Sequence, residues 1–195
     1  MHRGRLVIGV SGGSGPVMAV HLLRALRAHT ELELHLILSH AAVRTLQLEA
    51  PELSLDEVRA LADCVHDFRD VAAAPASGSW RCEGMVVIPA SMHTCAAIAH
   101  SLADNLLVRA ADVNLKERRK VIIVPRETPL HLGHLRTLAT LAEIGTIIVP
   151  PMPAFYARPK TIEDVLQQLS GKVLDLLGIE HQLGMRWSGP EPHDG

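Results

Sequence analysis

A chain of 195 residues is long enough for one domain that buries most of its apolar surface. With 48% hydrophobic and 21% charged residues it is globular, and a net charge of −2 with no Lys/Arg run extending beyond Lys116–Lys120, which Glu117 interrupts, argues against a nucleic-acid surface. Cys64, Cys82 and Cys95 show no CxxC spacing, which argues against a disulfide framework and a structural zinc site.

The opening MHRGRLVIGVSGG has a basic start and a short apolar run, as a secretory leader does. The run ends in glycines without a small-residue cleavage site, so Arg5–Val10 reads as a first strand. No apolar stretch reaches the roughly 20 residues of a membrane span, and the expected location is cytoplasmic. After Ser11-Gly12-Gly13-Ser14-Gly15-Pro16, apolar residues at helical spacing predict a helix over Val17–Arg27. Leu32–Leu38 predicts a second strand, Ala41–Leu48 a helix, and Ser54-Leu55-Asp56-Glu57 a capping box opening another. Val65–Gly78 lacks a period and reads as irregular.

Gly84–Pro89 predicts the third strand, leading through Ala90 and Ser91 into one small-residue helix over Cys95–Leu107, with Arg109–Arg119 a short excursion beyond it. Val121–Val124 is β-branched and apolar throughout, the signature of a buried parallel strand. His131–Ile144 predicts a helix, Thr146–Val149 a fifth strand, Pro150–Tyr156 a rigid irregular segment, and Thr161–Leu177 a last helix stopped at Gly178. Alternating strands and helices predict a single three-layer α/β domain, Rossmann-like or flavodoxin-like, with a mainly parallel sheet. It should span 1–187, with 188–195 a flexible tail.

Four groups of residues carry candidate chemistry. The turn Gly12-Gly13-Ser14-Gly15 suits a phosphate, with the following helix's first-turn N–H groups aimed at it. Met18 breaks the GxGxxG pattern, and Ser39 stands where a ribose-binding acid belongs, so a dinucleotide is disfavoured and a mononucleotide phosphate or hydroxyl-rich cofactor stays open, as does an ordinary turn. Ser91-Met92-His93-Thr94 opens a helix and reads either as a plain N-cap or as an anion or flavin contact. Lys116, Arg126 and Lys172, with Tyr156, form a cation set for phosphate. Lys116 and Lys172 alone read as solvated helix positions, whereas Arg126 follows a buried strand, where an unpaired charge is costly. Glu127 beside it is either an acid/base group or the partner of Arg109, Arg118 or Arg126. His131 and His134 share a helix face, but no acid joins them, so no metal is expected. A Gly-x-Ser-x-Gly elbow with its partners is missing, which rejects a serine hydrolase.

Five blocks in order, SGGSG, PASMHT, RAADVNLKERR, VPRETPLHLGHL and PPMPAFYARP, resemble the flavin prenyltransferases of the UbiX type, from about Arg5 to Trp187. They also resemble the small subunits paired with hydroxyarylic acid decarboxylases. The resemblance implies a metal-independent transferase that joins the dimethylallyl group of dimethylallyl phosphate to N5 and C6 of reduced FMN. The prenylated FMN would serve a UbiD-type decarboxylase. It implies FMN contacts from Gly12, Gly13, Ser14, Ser39, Ser91, Met92, His93, Thr94 and Arg126. The allylic phosphate would be held by Lys116, Arg126, Tyr156 and Lys172. Ser14, Glu127 and Glu49 are implied in catalysis and Arg109 in lining a site formed between subunits of a homododecamer. The chain departs from the family pattern at Ala90 and His93, at Lys172 in place of Arg, and at Val71 where some members carry Trp; Trp80 lies nearby. A non-catalytic FMN-binding accessory subunit ranks second, and an FMN-dependent cysteine decarboxylase third.

Overall fold

The structure is a computed structural model, and it describes residues 3–189. Six strands form one parallel sheet: β1 (Arg5–Val10), β2 (Glu33–Leu38), β3 (Cys64–His66), β4 (Gly84–Ala90), β5 (Lys120–Pro125) and β6 (Ile147–Ile148). Their spatial order is β3-β2-β1-β4-β5-β6. This is the doubly wound Rossmann order, in which the winding reverses between β1 and β4. Helices cover both faces, so the middle strands must be apolar on both sides. All of β4 is buried, and so are residues 121–125 of β5.

Side chains alternate across the sheet. Leu6, Ile8 and Val10 face α1 (Val17–His29) and α7 (Ile162–Leu177), packing with Leu22, Leu23, Leu26, Val173 and Leu174. Val7, Met85, Val87, Val121 and Ile123 face the other layer. That layer comprises α4 (Met92–Ala99), α5 (Leu106–Lys116) and α6 (Leu132–Glu143). Burying each large aliphatic side chain stabilises the fold by roughly 1.5–3 kcal/mol. Two smaller helices, α2 (His40–Glu49) and α3 (Leu55–Arg59), join Val20 in a side cluster through Leu46, Ala50 and Val58.

The capping box at Ser54 and Glu57 forms as the sequence predicts, and Gly178 ends α7 in the left-handed region at φ 80°. Two segments differ from expectation. Residues 64–66 make the edge strand β3, so the strand beginning at Gly84 is the fourth rather than the third. The single helix expected over Cys95–Leu107 breaks at residues 100–105. Ser101 takes φ 53°, and the Asn105 side chain accepts the Val108 N–H to start α5 as a full helix. The expected tail lies mostly outside the described residues, since only 188 and 189 of it are described. Among the described residues no helix is long and apolar enough to cross a membrane.

Candidate functional site

Ligands in such sheets bind beyond the carboxyl ends of the strands, at the reversal point. Here that point is the gap between the ends of β1 and β4, and Ser11 closes its floor. Its hydroxyl donates to the Pro89 carbonyl at 3.1 Å and accepts the Ser91 N–H at 2.7 Å, with the serine only 2% exposed. The backbone repeats the tie, Ser11 N–H to Pro89 carbonyl at 3.1 Å. Neighbouring ends join in the same way, Ser39 N–H donating to Val10 and Arg126 N–H to Ala90, each at 3.0 Å. Ser11 was not singled out from sequence; its position as the first residue after a buried strand was the available signal.

The rim carries the predicted residues. Gly12 has no room for a side chain and Gly13 little: a Cβ on Gly12 would sit 2.6 Å from Ala41 Cβ, and one on Gly13 3.3 Å from Pro89 Cβ. The same Gly13 position lies 3.6 Å from Arg126 Cβ, so the glycine turn and the end of β5 meet. Ser39 caps α2 by accepting the Ala42 N–H at 3.0 Å. Ser91 caps α4, accepting the Thr94 N–H and donating to Thr94 Oγ1. Met92 turns its side chain into the core at 8% exposure, while His93 is exposed. What Met92 offers a ligand is therefore its N–H in the first turn of α4.

The turn differs from expectation in one respect. The first turn of α1 is closed on itself: Met18 N–H donates to Gly15 and Ala19 N–H to Pro16, each at 3.0 Å. Gly15 N–H is taken at 2.7 Å by Glu49 Oε2, reaching over from the end of α2. Anion donors at this edge are consequently the Gly12–Ser14 turn and the start of α4, with Met18 and Ala19 of α1 already engaged.

Arg126 and Glu127 are exposed, contrary to the expectation of a buried charge, because β5 delivers them past the end of the sheet. With Pro125, Thr128, Leu130, Leu138, Pro150, Pro151 and Met152 they line a cavity of about 240 Å³, a largely apolar chamber that includes one cation and one carboxylate. Glu127 makes no ion pair among the described residues; its Oε1 accepts the Thr128 N–H at 3.0 Å. Tyr156 and Lys172 line a second concavity, about 210 Å³, with Gln168, Arg186 and Trp187. There Gln168 Nε2 donates to the Tyr156 hydroxyl at 3.2 Å, and Arg186 pairs with Asp175 at 2.7 Å. A larger concavity of about 590 Å³ lies between residues 154–160 and α7 and contains none of the predicted residues. Its Asp164 carboxylate is already spent on the Lys160 and Thr161 N–H groups, which, ahead of the Thr161 hydroxyl, hold it below the ordinary aspartate value.

Within one chain the remaining residues stay apart. Lys116 ends α5 at the amino side of the sheet, paired with Glu117, four residues before β5 begins. Six residues of β5, about 20 Å, separate that side from Arg126. Arg109 sits in the first turn of α5 and bonds Asp112 at 3.0 Å. Trp80 is also remote within its own chain, edge-on to His35 at 4.7 Å and beneath the Arg5 guanidinium. His131 and His134 lie 3.6 Å apart, and His131 Nδ1 accepts the Gly133 N–H as a helix cap.

The family model of the flavoproteins matches residues 1–174. The flavin prenyltransferase UbiX of Escherichia coli K12 is 52% identical over 187 residues, which is 95% of this chain and 98% of that one. The chain belongs to the UbiX-type flavin prenyltransferases. Among solved structures, AnUbiX (PadA1) in complex with FMN and dimethylallyl pyrophosphate matches with TM-score 0.94 at 43% identity, over 97% of this chain and all of the other. A dodecameric FMN-dependent UbiX-like decarboxylase from Escherichia coli O157:H7 matches with TM-score 0.92 at 46% identity, over 95% of this chain and all of the other.

Proposed function

We propose that the protein joins a dimethylallyl group from dimethylallyl phosphate to reduced FMN, and that the prenylated flavin passes to a UbiD-type decarboxylase. The observation that carries this reading is the chamber of Arg126, Glu127 and apolar walls opening beside the reversal point of the sheet. The donor set fits FMN. The Gly12–Ser14 turn and the α4 start supply N–H groups, Ser14 and Ser39 supply hydroxyls, and Gly13 brings them beside Arg126.

Reduced FMN supplies the nucleophilic ring atoms, N5 and C6, when bound. The protein's part begins with orientation of two reactants, which removes much of the barrier to their joining. Proline, leucine and methionine side chains around Arg126 offer an apolar wall to the dimethylallyl carbons. The Arg126 guanidinium offers a planar fork to the departing phosphate, whose negative charge grows as the C–O bond breaks. Glu127, with one oxygen steadied by the Thr128 N–H, accepts the proton released when the second ring closes. Glu49, anchored on Gly15, and Ser14 are proposed to act on the flavin from the glycine turn.

Tyr156 and Lys172 are proposed to hold the phosphate end, and Lys116 and Arg109 to enter from another copy of the chain. Supporting this, Lys116 lies on the wrong side of the sheet to act within its own chain, and α6 leaves Leu132 and Leu135 more than half exposed beside the chamber. A homododecamer like that of the structural relative would cover such a face. The test is anaerobic: the protein is mixed with reduced FMN and dimethylallyl phosphate or diphosphate, and the extracted flavin is weighed. A gain of one dimethylallyl unit supports the transferase; unmodified FMN with both donors overturns it in favour of an accessory subunit.

A further inference from the structure

Away from the ligand edge, β2 and β3 bring together three side chains that the proposed reaction does not use. Parallel pairing sets His35 beside Cys64 and Ile37 beside His66. Their donor atoms, one from each of His35, Cys64 and His66, all lie within 4.8 Å of one another. His35 Nδ1 stands 2.8 Å from His66 Nε2, and His35 Nε2 is 3.1 Å from Glu33 Oε1. His35 is 5% exposed, and Cys64 and His66 are half-buried at the edge of the sheet. The cluster lies four residues back along β2 from Ser39, about 13 Å at the rise of a strand.

We propose that His35 Nδ1, His66 Nε2 and Cys64 Sγ form a binding site for a zinc-class divalent cation, with water or a small anion as fourth ligand. Two imidazoles and a thiolate are a borderline-soft donor set suited to zinc. Glu33 fixes the geometry. Its carboxylate accepts a hydrogen bond from His35 Nε2–H, so the Nδ1 lone pair points at the cluster; a carboxylate behind the imidazole is the usual support of a metal-bound histidine. Arg5 pairs with the same carboxylate at 3.3 Å and packs over Trp80, which in turn meets His35 edge-on. His35 therefore has a braced ring, not a free one.

The rings are ready for a metal and the thiol is not. Burial holds both His35 and His66 below the ordinary imidazole value, keeping them neutral, while burial, then Glu33 and Asp63, push the Cys64 thiol up. Zinc–nitrogen bonds of about 2.0–2.1 Å at a tetrahedral angle place two nitrogens about 3.3 Å apart. The rings need to open by about 0.5 Å from their present hydrogen bond. On binding, the proton shared between the rings moves to His66 Nδ1 through solvent, and Cys64 releases one proton. The cation then staples the three-residue edge strand to β2. His35 is about thirty residues from Cys64 and His66, which follow no motif spacing, so the pairing of β2 with β3 is what unites them.

Cobalt(II) is the probe. Full-length protein stripped with chelator and titrated with cobalt chloride should bind one ion per chain, giving tetrahedral d–d bands and a near-ultraviolet sulfur-to-metal band. Cys64→Ser should abolish the sulfur band, and Glu33→Gln should weaken binding by about 10–100-fold. A saturated protein without that band, or a band undiminished in Cys64→Ser, overturns the proposal. An independent readout needs no variant: a thiol reagent should label Cys64 in the stripped protein, and one equivalent of zinc should suppress the reaction. Equal labelling with and without zinc overturns it as well. Neither readout depends on flavin or donor.

Discussion

Two strand–turn–helix units flank the candidate site, and they are built to opposite plans. In β1–α1 the turn is closed: the Met18 and Ala19 N–H groups find carbonyls, Gly15 is held by Glu49, and Leu22, Leu23 and Leu26 are wholly buried. In β5–α6 everything from Arg126 to His131 is exposed, and of the α6 residues only Leu141 is fully buried. Leu132 and Leu135 keep 59% and 51% of their surface in water. Both helices carry leucines at helical spacing. The first stripe is satisfied inside its own chain, and the second is left for a ligand or another copy. The first unit is a finished cradle; the second becomes complete on binding or assembly.

The largest effect expected is on chemistry in the open unit. Glu127→Gln should bind FMN as before and lose about 10²–10⁴-fold in turnover, the usual range for removing a proton-transfer group. Single-turnover prenylation at the wild-type rate would remove Glu127 from the mechanism. Next in size, Leu22→Ala in the closed unit should cost about 2–5 kcal/mol in denaturant unfolding. Leu135→Glu is the counterpart that sharpens the contrast: it should leave secondary structure intact and shift the assembly to smaller species in light scattering. A variant that unfolds instead would show that α6 is packed within the chain after all.

The smallest effect concerns the N-terminus of α7. Asp164 is fully exposed, and its carboxyl sits below the ordinary aspartate value chiefly through the Lys160 and Thr161 N–H groups. A depressed folded value means that the stabilisation is complete above the unfolded value and fades as pH falls through the folded one. Below about pH 4, the protection of the Lys160 and Thr161 amides, measured against their intrinsic exchange rates, should therefore fall, and Asp164→Asn should remove most of that pH dependence.

The closed unit was the legible one. Strand, glycine turn and helix succeed each other locally between Arg5 and His29, and the capping box at Ser54 and Glu57 is a four-residue event. Edge strand β3 escaped because three residues, Cys64–His66, hold no readable period and form only by pairing with β2. The break before α5 escaped because it has no Gly or Pro; it is made by Ser101 at positive φ and by Leu106 N–H bonding the distant Phe68 carbonyl at 2.9 Å. Residue types at the site were readable, and their placement was not. Arg126 looked buried because its strand is, and Lys116 looked local because only the topology shows that α5 carries it away from the rim.

The segment after α7 folds back along that helix: Gln168 bonds Met185 in both directions, and Trp187 rests edge-on against Tyr156 at 5.9 Å. The chain has two tryptophans and one tyrosine. Trp80 sits against His35 beneath Arg5, while Trp187 is 63% exposed beside the proposed phosphate-holding hydroxyl. The protein thus carries its own optical gauge. Emission from Trp187 should report occupancy at Tyr156 in real time, and in Trp187→Phe the remaining signal, from Trp80, gives the internal baseline.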